Sequence, residues 1–275
     1  MVSLTRAESI ALLEQAGLKP KRKLGQNFVV DANTLARIVR LGRVTSESHV
    51  IEIGAGLGAL TQELLSTQAS VTAVEIDPDL VQILRNRPEL SEAHIVEGDA
   101  LHMDLNEVVS LSRSPWVLVA NLPYNVATPL VLRVLEDVPQ IQRMLVMVQA
   151  EVGERMAAGP GDDAYGAVSL RVGYHGTASV AGRVPPTVFV PRPKVDSVLV
   201  SIERSPEPAV DPGLVSEDEI FALVRQAFGQ RRKMLRRSLA AVVSPEAFEA
   251  AGVLPTARPE ELDVRDFGRL ALSLK

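Results

Sequence analysis

His49-Val50-Ile51-Glu52-Ile53 runs directly into Gly54-Ala55-Gly56-Leu57-Gly58, and a helical pattern carried by Leu60, Leu64 and Leu65 starts near Ala59. The compact apolar run reads as a buried strand. The glycines permit a tight turn and a close approach of backbone to a ligand, beside a helix N-terminus. A second strand candidate, Val71 to Ile76, ends in Glu75 and Asp77. Glu75 lies about twenty residues beyond the glycines, where an acid can hold ribose hydroxyls. This order predicts an α/β sheet that binds an adenosine-containing ligand. It does not name the ligand, because Gly54, Gly56 and Ala59 also satisfy the dinucleotide pattern.

The next strands add polar ends. Ile95 to Ala100 reads as a short strand whose Asp99 can accept a hydrogen bond from an adenine amino group. The apolar run Trp116 to Ala120 reads as a fourth strand, followed by Asn121-Leu122-Pro123-Tyr124. Asn offers an acceptor beside a donor. Pro fixes φ and removes an N–H, leaving carbonyls free to face a ligand, and Tyr supplies a flat face. The set suits the exocyclic amine of a flipped nucleobase; a polar strand end with a turn proline is the plainer reading. Helices are expected over 3–17, over 32–42 with Asp31 as cap, over 127–136 and over 151–158, with a fifth strand over 143–148. The region 165–203 holds a helix and two strands, compatible with an antiparallel hairpin at one sheet edge.

Composition limits the alternatives. A chain of 275 residues forms one large or two ordinary domains. It has no cysteine, which excludes disulfides and thiolate chemistry, and its four histidines show no metal-ligand spacing. No apolar run approaches the ~18 residues of a membrane span, and the N-terminus lacks the features of a signal peptide. A cytoplasmic monomer without metal or membrane contact is expected. The net charge of −5 argues against a uniformly basic coat, but charge is uneven. Lys19-Pro20-Lys21-Arg22-Lys23 is basic without a nearby acid, and six basic residues and no acid lie between Arg225 and Arg237. Each is either a solvated face or a contact for polynucleotide phosphate. The Pro-rich stretch 205–216 reads as a linker. It divides the chain into a catalytic domain, 1–204, and a small helical domain, 217–275, expected to bind RNA.

Taken in order, Leu24-Gly25-Gln26-Asn27-Phe28, Glu52 to Gly58, Glu75, Gly98-Asp99-Ala100, Asn121 to Tyr124, Phe189 to Ser197 and Phe228 to Lys233 resemble the ribosomal RNA adenine N6-dimethyltransferase family across essentially the whole chain. The N-L-P-Y and R-R-K motifs resemble its small-subunit (16S) branch. The resemblance implies a Rossmann-like, seven-stranded mixed sheet with a small C-terminal all-α domain, and S-adenosyl-L-methionine as cofactor. It also implies N6,N6-dimethylation of two adjacent adenines near the 3′ end of 16S ribosomal RNA in an assembling small subunit. Asn27, Val29, Gly54, Glu75, Asp99 and Asn121 would then contact the cofactor. Asn121, Leu122 and Pro123 would hold the target amine, while Tyr124 and Phe189 would stack the adenine. Val29 stands where the family more often has Leu. Other readings are the same reaction on 23S RNA, a non-catalytic assembly factor, and a nicotinamide oxidoreductase. The last has no use for Asn121–Tyr124 or a basic helical tail.

Overall fold

The computed structural model describes residues 4–109, 115–123 and 126–275. Its strands are β1 (Phe28–Val29), β2 (His49–Ile53), β3 (Ser70–Glu75), β4 (His94–Glu97), β5 (Trp116–Asn121), β6 (Ile141–Gln149), β7 (Gly176–Val184), β8 (Phe189–Val190) and β9 (Ser197–Arg204). The helices are α1 (Arg6–Gln15), α2 (Ala32–Leu41), α3 (Ala59–Leu65), α4 (Pro78–Arg85), α5 (Leu105–Val109), α6 (Ala127–Asp137), α7 (Ala150–Ala157), α8 (Ala167–His175), α9 (Glu217–Phe228), α10 (Leu235–Ser238), α11 (Pro245–Ala251) and α12 (Val264–Leu272). Among the described residues no helix is long and apolar enough to cross a membrane.

Helix starts follow local chemistry. Asp31 accepts the Thr34 N–H at 2.7 Å to open α2, and Asp77 caps α4 ahead of Pro78. Ser216 and Asp263 form capping boxes at α9 and α12. Each such cap satisfies a backbone N–H that the helix itself leaves without a partner.

Among the described residues, seven strands form one mixed sheet in the order β4-β3-β2-β5-β6-β9-β7. β2 to β6 pair in parallel, and β9 runs antiparallel to β6. The ends of β2, β3, β4 and β5 therefore share one edge. The strand order reverses between β2 and β5, the position at which open α/β sheets bind ligands. A second, two-stranded ribbon pairs Phe28 with Val190 and Val29 with Phe189. Sequence reading missed this ribbon, because two-residue strands carry no periodicity.

The chain forms two compact units, residues 1–153 with 180–203, and residues 154–179 with 204–275. The second unit thus recruits a segment that the sequence reading placed before the linker. Its core explains why. Tyr165, Leu170 and Tyr174 are buried in one cluster with Phe221, Val224 and Phe267, and the Tyr165 hydroxyl donates to the Leu262 carbonyl at 2.9 Å. The Pro-rich stretch is likewise tied down, with the Ser205 and Ala209 N–H groups donating to the His175 and Tyr174 carbonyls at 2.9 and 2.8 Å.

In the first unit, Gly58 joins the glycine turn to α3 at φ +79°. A Cβ there would lie 2.5 Å from Leu90 Cδ1 and 2.8 Å from Leu84 Cδ2, whereas at Gly17, φ +65°, nothing lies within 4 Å. Gly58→Ala combines left-handed strain with overpacking and is expected to cost about 2–4 kcal/mol. Gly17→Ala carries the strain alone and is expected to cost about 1 kcal/mol. Urea unfolding of the two variants checks the difference.

Candidate active site

The glycine turn forms the floor of a cavity at the sheet edge. Gly54 and Gly56 adopt φ +80° and +60°, and the ring of Phe28 lies where a Cβ on Gly56 would be 3.0 Å from its Cδ1. The turn is held from below by Glu75. Its Oε2 accepts the Gly56 N–H at 2.8 Å and its Oε1 accepts the Asp77 N–H at 2.9 Å. The carboxylate expected to meet a ribose thus also braces the turn.

Arg87 is a second brace. Its buried guanidinium donates to the Leu57 carbonyl at 2.6 Å and to Gln62 Oε1 at 2.7 Å. The left-handed Gly58 takes the Leu57 carbonyl out of the α3 hydrogen-bond ladder, and Arg87 supplies its donor. Sequence reading did not single out Arg87, and thirty residues separate it from Leu57.

The N-terminal segment supplies another wall. Ser9 and Leu24 to Val29 line the cavity with Leu35, Glu52, Gly54, Gly56, Glu75, Asn121, Leu122, Pro123 and Phe189. Lys21 Nζ donates to Asp77 Oδ1 at 2.7 Å and to Asp79 Oδ2 at 2.8 Å. Gln26 Nε2 donates to Asp77 Oδ2 at 2.8 Å. This corrects the reading of Lys19–Lys23 as unopposed charge, because Lys21 is matched by acids brought up from the end of β3 and the start of α4. Burial raises the Asp77 pKa, but Lys21 and Gln26 outweigh it and hold the carboxyl below its ordinary value. The hydrogen bonds to Asp77 and Asp79 raise Lys21 in turn. At the other side, Arg6 Nη2 donates to the Thr187 and Phe189 carbonyls at 2.8 and 3.3 Å.

The end of β5 faces this segment. Asn121 Nδ2 donates to the Asn27 carbonyl at 3.0 Å, and no donor among the described residues engages Oδ1. The Pro123 carbonyl already accepts from the Val126 and Ala127 N–H groups at 3.1 Å, so it is committed to starting α6. Tyr124 lies outside the described residues. Phe189 lines the cavity but is only 1% exposed; its ring also belongs to the core beneath the ribbon.

Of the expected cofactor contacts, Asn27, Val29, Gly54, Glu75 and Asn121 come together around the cavity. Asp99 does not line it. Its Oδ1 accepts the Leu101 N–H at 2.9 Å and its Oδ2 pairs with His102 Nδ1 at 2.8 Å.

The charge of the wall is one-sided. Glu52 is 1% exposed and lies near Glu75; it accepts a hydrogen bond from Thr61 Oγ1 at 2.6 Å. Burial, reinforced by the Glu75 charge, pushes the Glu52 carboxyl up to about 8. Burial also raises Glu75, against the opposing pull of its backbone donors. No Lys, Arg or His lines the cavity among the described residues. A wall that holds acids and no base suits a cationic ligand that also carries hydroxyl groups, since a bound cation favours the ionised form of Glu52. S-adenosylmethionine, with its sulfonium, ammonium and ribose, matches that donor set. Glu52 appeared in the sequence only as part of a motif, and its position two residues before Gly54 was the available signal.

A family model described as ribosomal RNA adenine dimethylase matches residues 17–275. Ribosomal RNA small subunit methyltransferase A of Leifsonia xyli subsp. xyli is 47% identical over 279 residues, covering 96% of each chain. Its counterpart in Kineococcus radiotolerans is 46% identical, covering 94% of this chain and 88% of that protein. Among solved structures, a dimethyladenosine transferase from Plasmodium falciparum superposes with a TM-score of 0.74 at 25% identity, covering 88% of this chain and 95% of that one. The 23S rRNA methyltransferase ErmE superposes with a TM-score of 0.71 at 24% identity, covering 90% and 99%, and so shares the fold.

A Glu52 pKa near 8, above the ordinary 4.5, means that the folded chain holds a proton which the unfolded chain releases. That stabilising term is complete below the ordinary value and is lost as pH rises through about 8. Glu52→Gln removes the dependence. Between about pH 6 and about pH 9 the variant should gain about 3 kcal/mol relative to the unaltered chain, read by urea unfolding at both pH values.

Proposed function

The chain belongs to the ribosomal RNA adenine dimethylase family, and we propose that it dimethylates N6 of two adjacent adenines near the 3′ end of small-subunit ribosomal RNA during subunit assembly. It is an S-adenosylmethionine-dependent rRNA methyltransferase. The relatives of 46–47% identity act, by their names, on the small subunit, which favours that substrate over large-subunit RNA.

Gly54, Gly56, Glu75, Asn27, Val29 and Asn121 would hold the cofactor from the walls described, and Asp99 would meet its adenine from the neighbouring strand end. The bound cofactor supplies an electrophilic methyl group, so the protein's task is alignment. The observation that carries the mechanism is the pair of open acceptors at the end of β5. With Asn121 Nδ2 committed to Asn27 and the Pro123 carbonyl committed to α6, Asn121 Oδ1 and the Leu122 carbonyl accept from no donor among the described residues and would take the two N6 hydrogens. Holding both hydrogens favours a pyramidal nitrogen whose lone pair points away from them. It also favours the positive charge that develops on nitrogen as the new bond forms. With no histidine or lysine in the described wall, the proton leaves to water after transfer. Tyr124 and Phe189 would stack the extruded adenine. Since Phe189 is buried in the wall, the base reaches its ring by displacing what covers it.

RNA contact is supported by the second unit. Arg232, Lys233, Arg236 and Arg237 are exposed, and none forms an ion pair among the described residues. Arg231 differs, being paired with Glu260 at 3.0 Å. Unopposed cations of this kind suit phosphate.

The decisive assay is methyl transfer to unmethylated small subunits, with the modified base mapped. Asn121→Ala is expected to lower kcat/KM about 100-fold or more, with S-adenosylmethionine still bound. Near-normal turnover would remove Asn121 from the mechanism, and transfer confined to large-subunit RNA would overturn the substrate. Arg236→Gln with Arg237→Gln should reduce the salt slope of RNA binding by about two and leave cofactor affinity unchanged.

A further inference from the structure

Ser9 occupies the inward face of α1, one turn before the buried Leu13. It is 1% exposed. Its backbone N–H donates to the Thr5 carbonyl at 2.9 Å, as the helix requires. Its hydroxyl has no hydrogen-bond partner among the described residues, yet the residue forms part of the cavity wall. A buried hydroxyl left without a partner destabilises the free protein. A side chain kept at that cost, facing a ligand cavity, is a candidate ligand contact.

The donors around the cavity narrow down what Ser9 would meet. The wall residues with side-chain donors are Ser9, Gln26, Asn27 and Asn121. Gln26 already donates to Asp77 at 2.8 Å, Asn27 to the Gly25 carbonyl at 3.0 Å, and Asn121 to the Asn27 carbonyl at 3.0 Å. The described wall holds no cationic side chain to attract an anion. The methionine carboxylate of the cofactor must therefore be met by neutral donors. Each of those amides has one N–H engaged, whereas the Ser9 hydroxyl is the donor group of the wall that has no partner at all among the described residues.

We infer that the Ser9 hydroxyl donates to the carboxylate of S-adenosylmethionine, making α1 part of the cofactor site. This rests on the cofactor reading above. Arg6, three residues earlier on α1, donates to the Phe189 carbonyl at 3.3 Å, so one helix reaches both the cofactor cavity and the segment that carries Phe189.

The test compares the full chain with Ser9→Ala by titration calorimetry against S-adenosylmethionine, S-adenosylhomocysteine and decarboxylated S-adenosylmethionine. The thermal midpoint of each free protein is measured alongside. Ser9→Ala should weaken the two carboxylate-bearing ligands about 10-fold and leave the decarboxylated one unchanged. Its free-state midpoint should be equal to or above that of the unaltered chain, because a costly orphan has been removed. Equal affinity for S-adenosylmethionine would overturn the contact. Equal weakening of all three ligands would overturn the carboxylate assignment, and a lowered free-state midpoint would show that the hydroxyl serves the fold. If the unaltered chain binds none of the three, the cofactor reading itself fails, a result distinct from any change on substitution.

Discussion

The site depends on a carboxylate that has been taken out of water. Burying an acid is costly unless hydrogen-bond donors replace its hydration, and Glu75 finds them in the Gly56 and Asp77 N–H groups. Gly56 can present its N–H there because it adopts a positive φ and has no Cβ to meet the Phe28 ring. Glu75 in turn is placed by register, since β3 lies between β2 and β4 with Val74 opposite Ile53 and Glu75 opposite Glu97. Parallel pairing thus sets the acid, the acid sets the turn, and the turn sets the cavity floor.

The N-terminal segment ties this floor to the chemistry above it. Within one short stretch, Lys21 and Gln26 engage Asp77, Phe28 covers Gly56, and the Asn27 carbonyl orients the Asn121 amide. The last contact decides which Asn121 atom is left to accept. A distortion on the cofactor side would therefore be felt at the atom proposed to grip the target amine, with no long relay needed.

The parallel half of the sheet and the glycine turn were legible because they are local. A β-branched run, three glycines and the helical spacing of Leu60 and Leu64 announce themselves within twenty residues. What escaped was set by pairings between distant segments. The Phe28–Val190 ribbon joins residues on opposite sides of the sheet sequence, and Lys21 meets acids 56 and 58 positions away. A cation counted as surplus in sequence was neutralised in space. Phe189 was expected to stack a base; its ring lines the cavity and also packs in the core, because the wall of the cavity is also the skin of the core. The second unit's reach back to Tyr165 was hidden for the same reason, since aromatic packing across about a hundred positions leaves no periodic trace.

The acid-only wall has a bearing on inhibitor chemistry. A compound competing for this cavity faces two buried acids and no described basic side chain, so the sign of its charge matters as much as its shape. An uncharged thioether forgoes the attraction that a permanently cationic centre receives, and an added acidic group finds no described cation to meet it. A screen weighted toward rigid, positively charged nucleoside mimics follows the electrostatics of this site more closely than one weighted toward close copies of the neutral product.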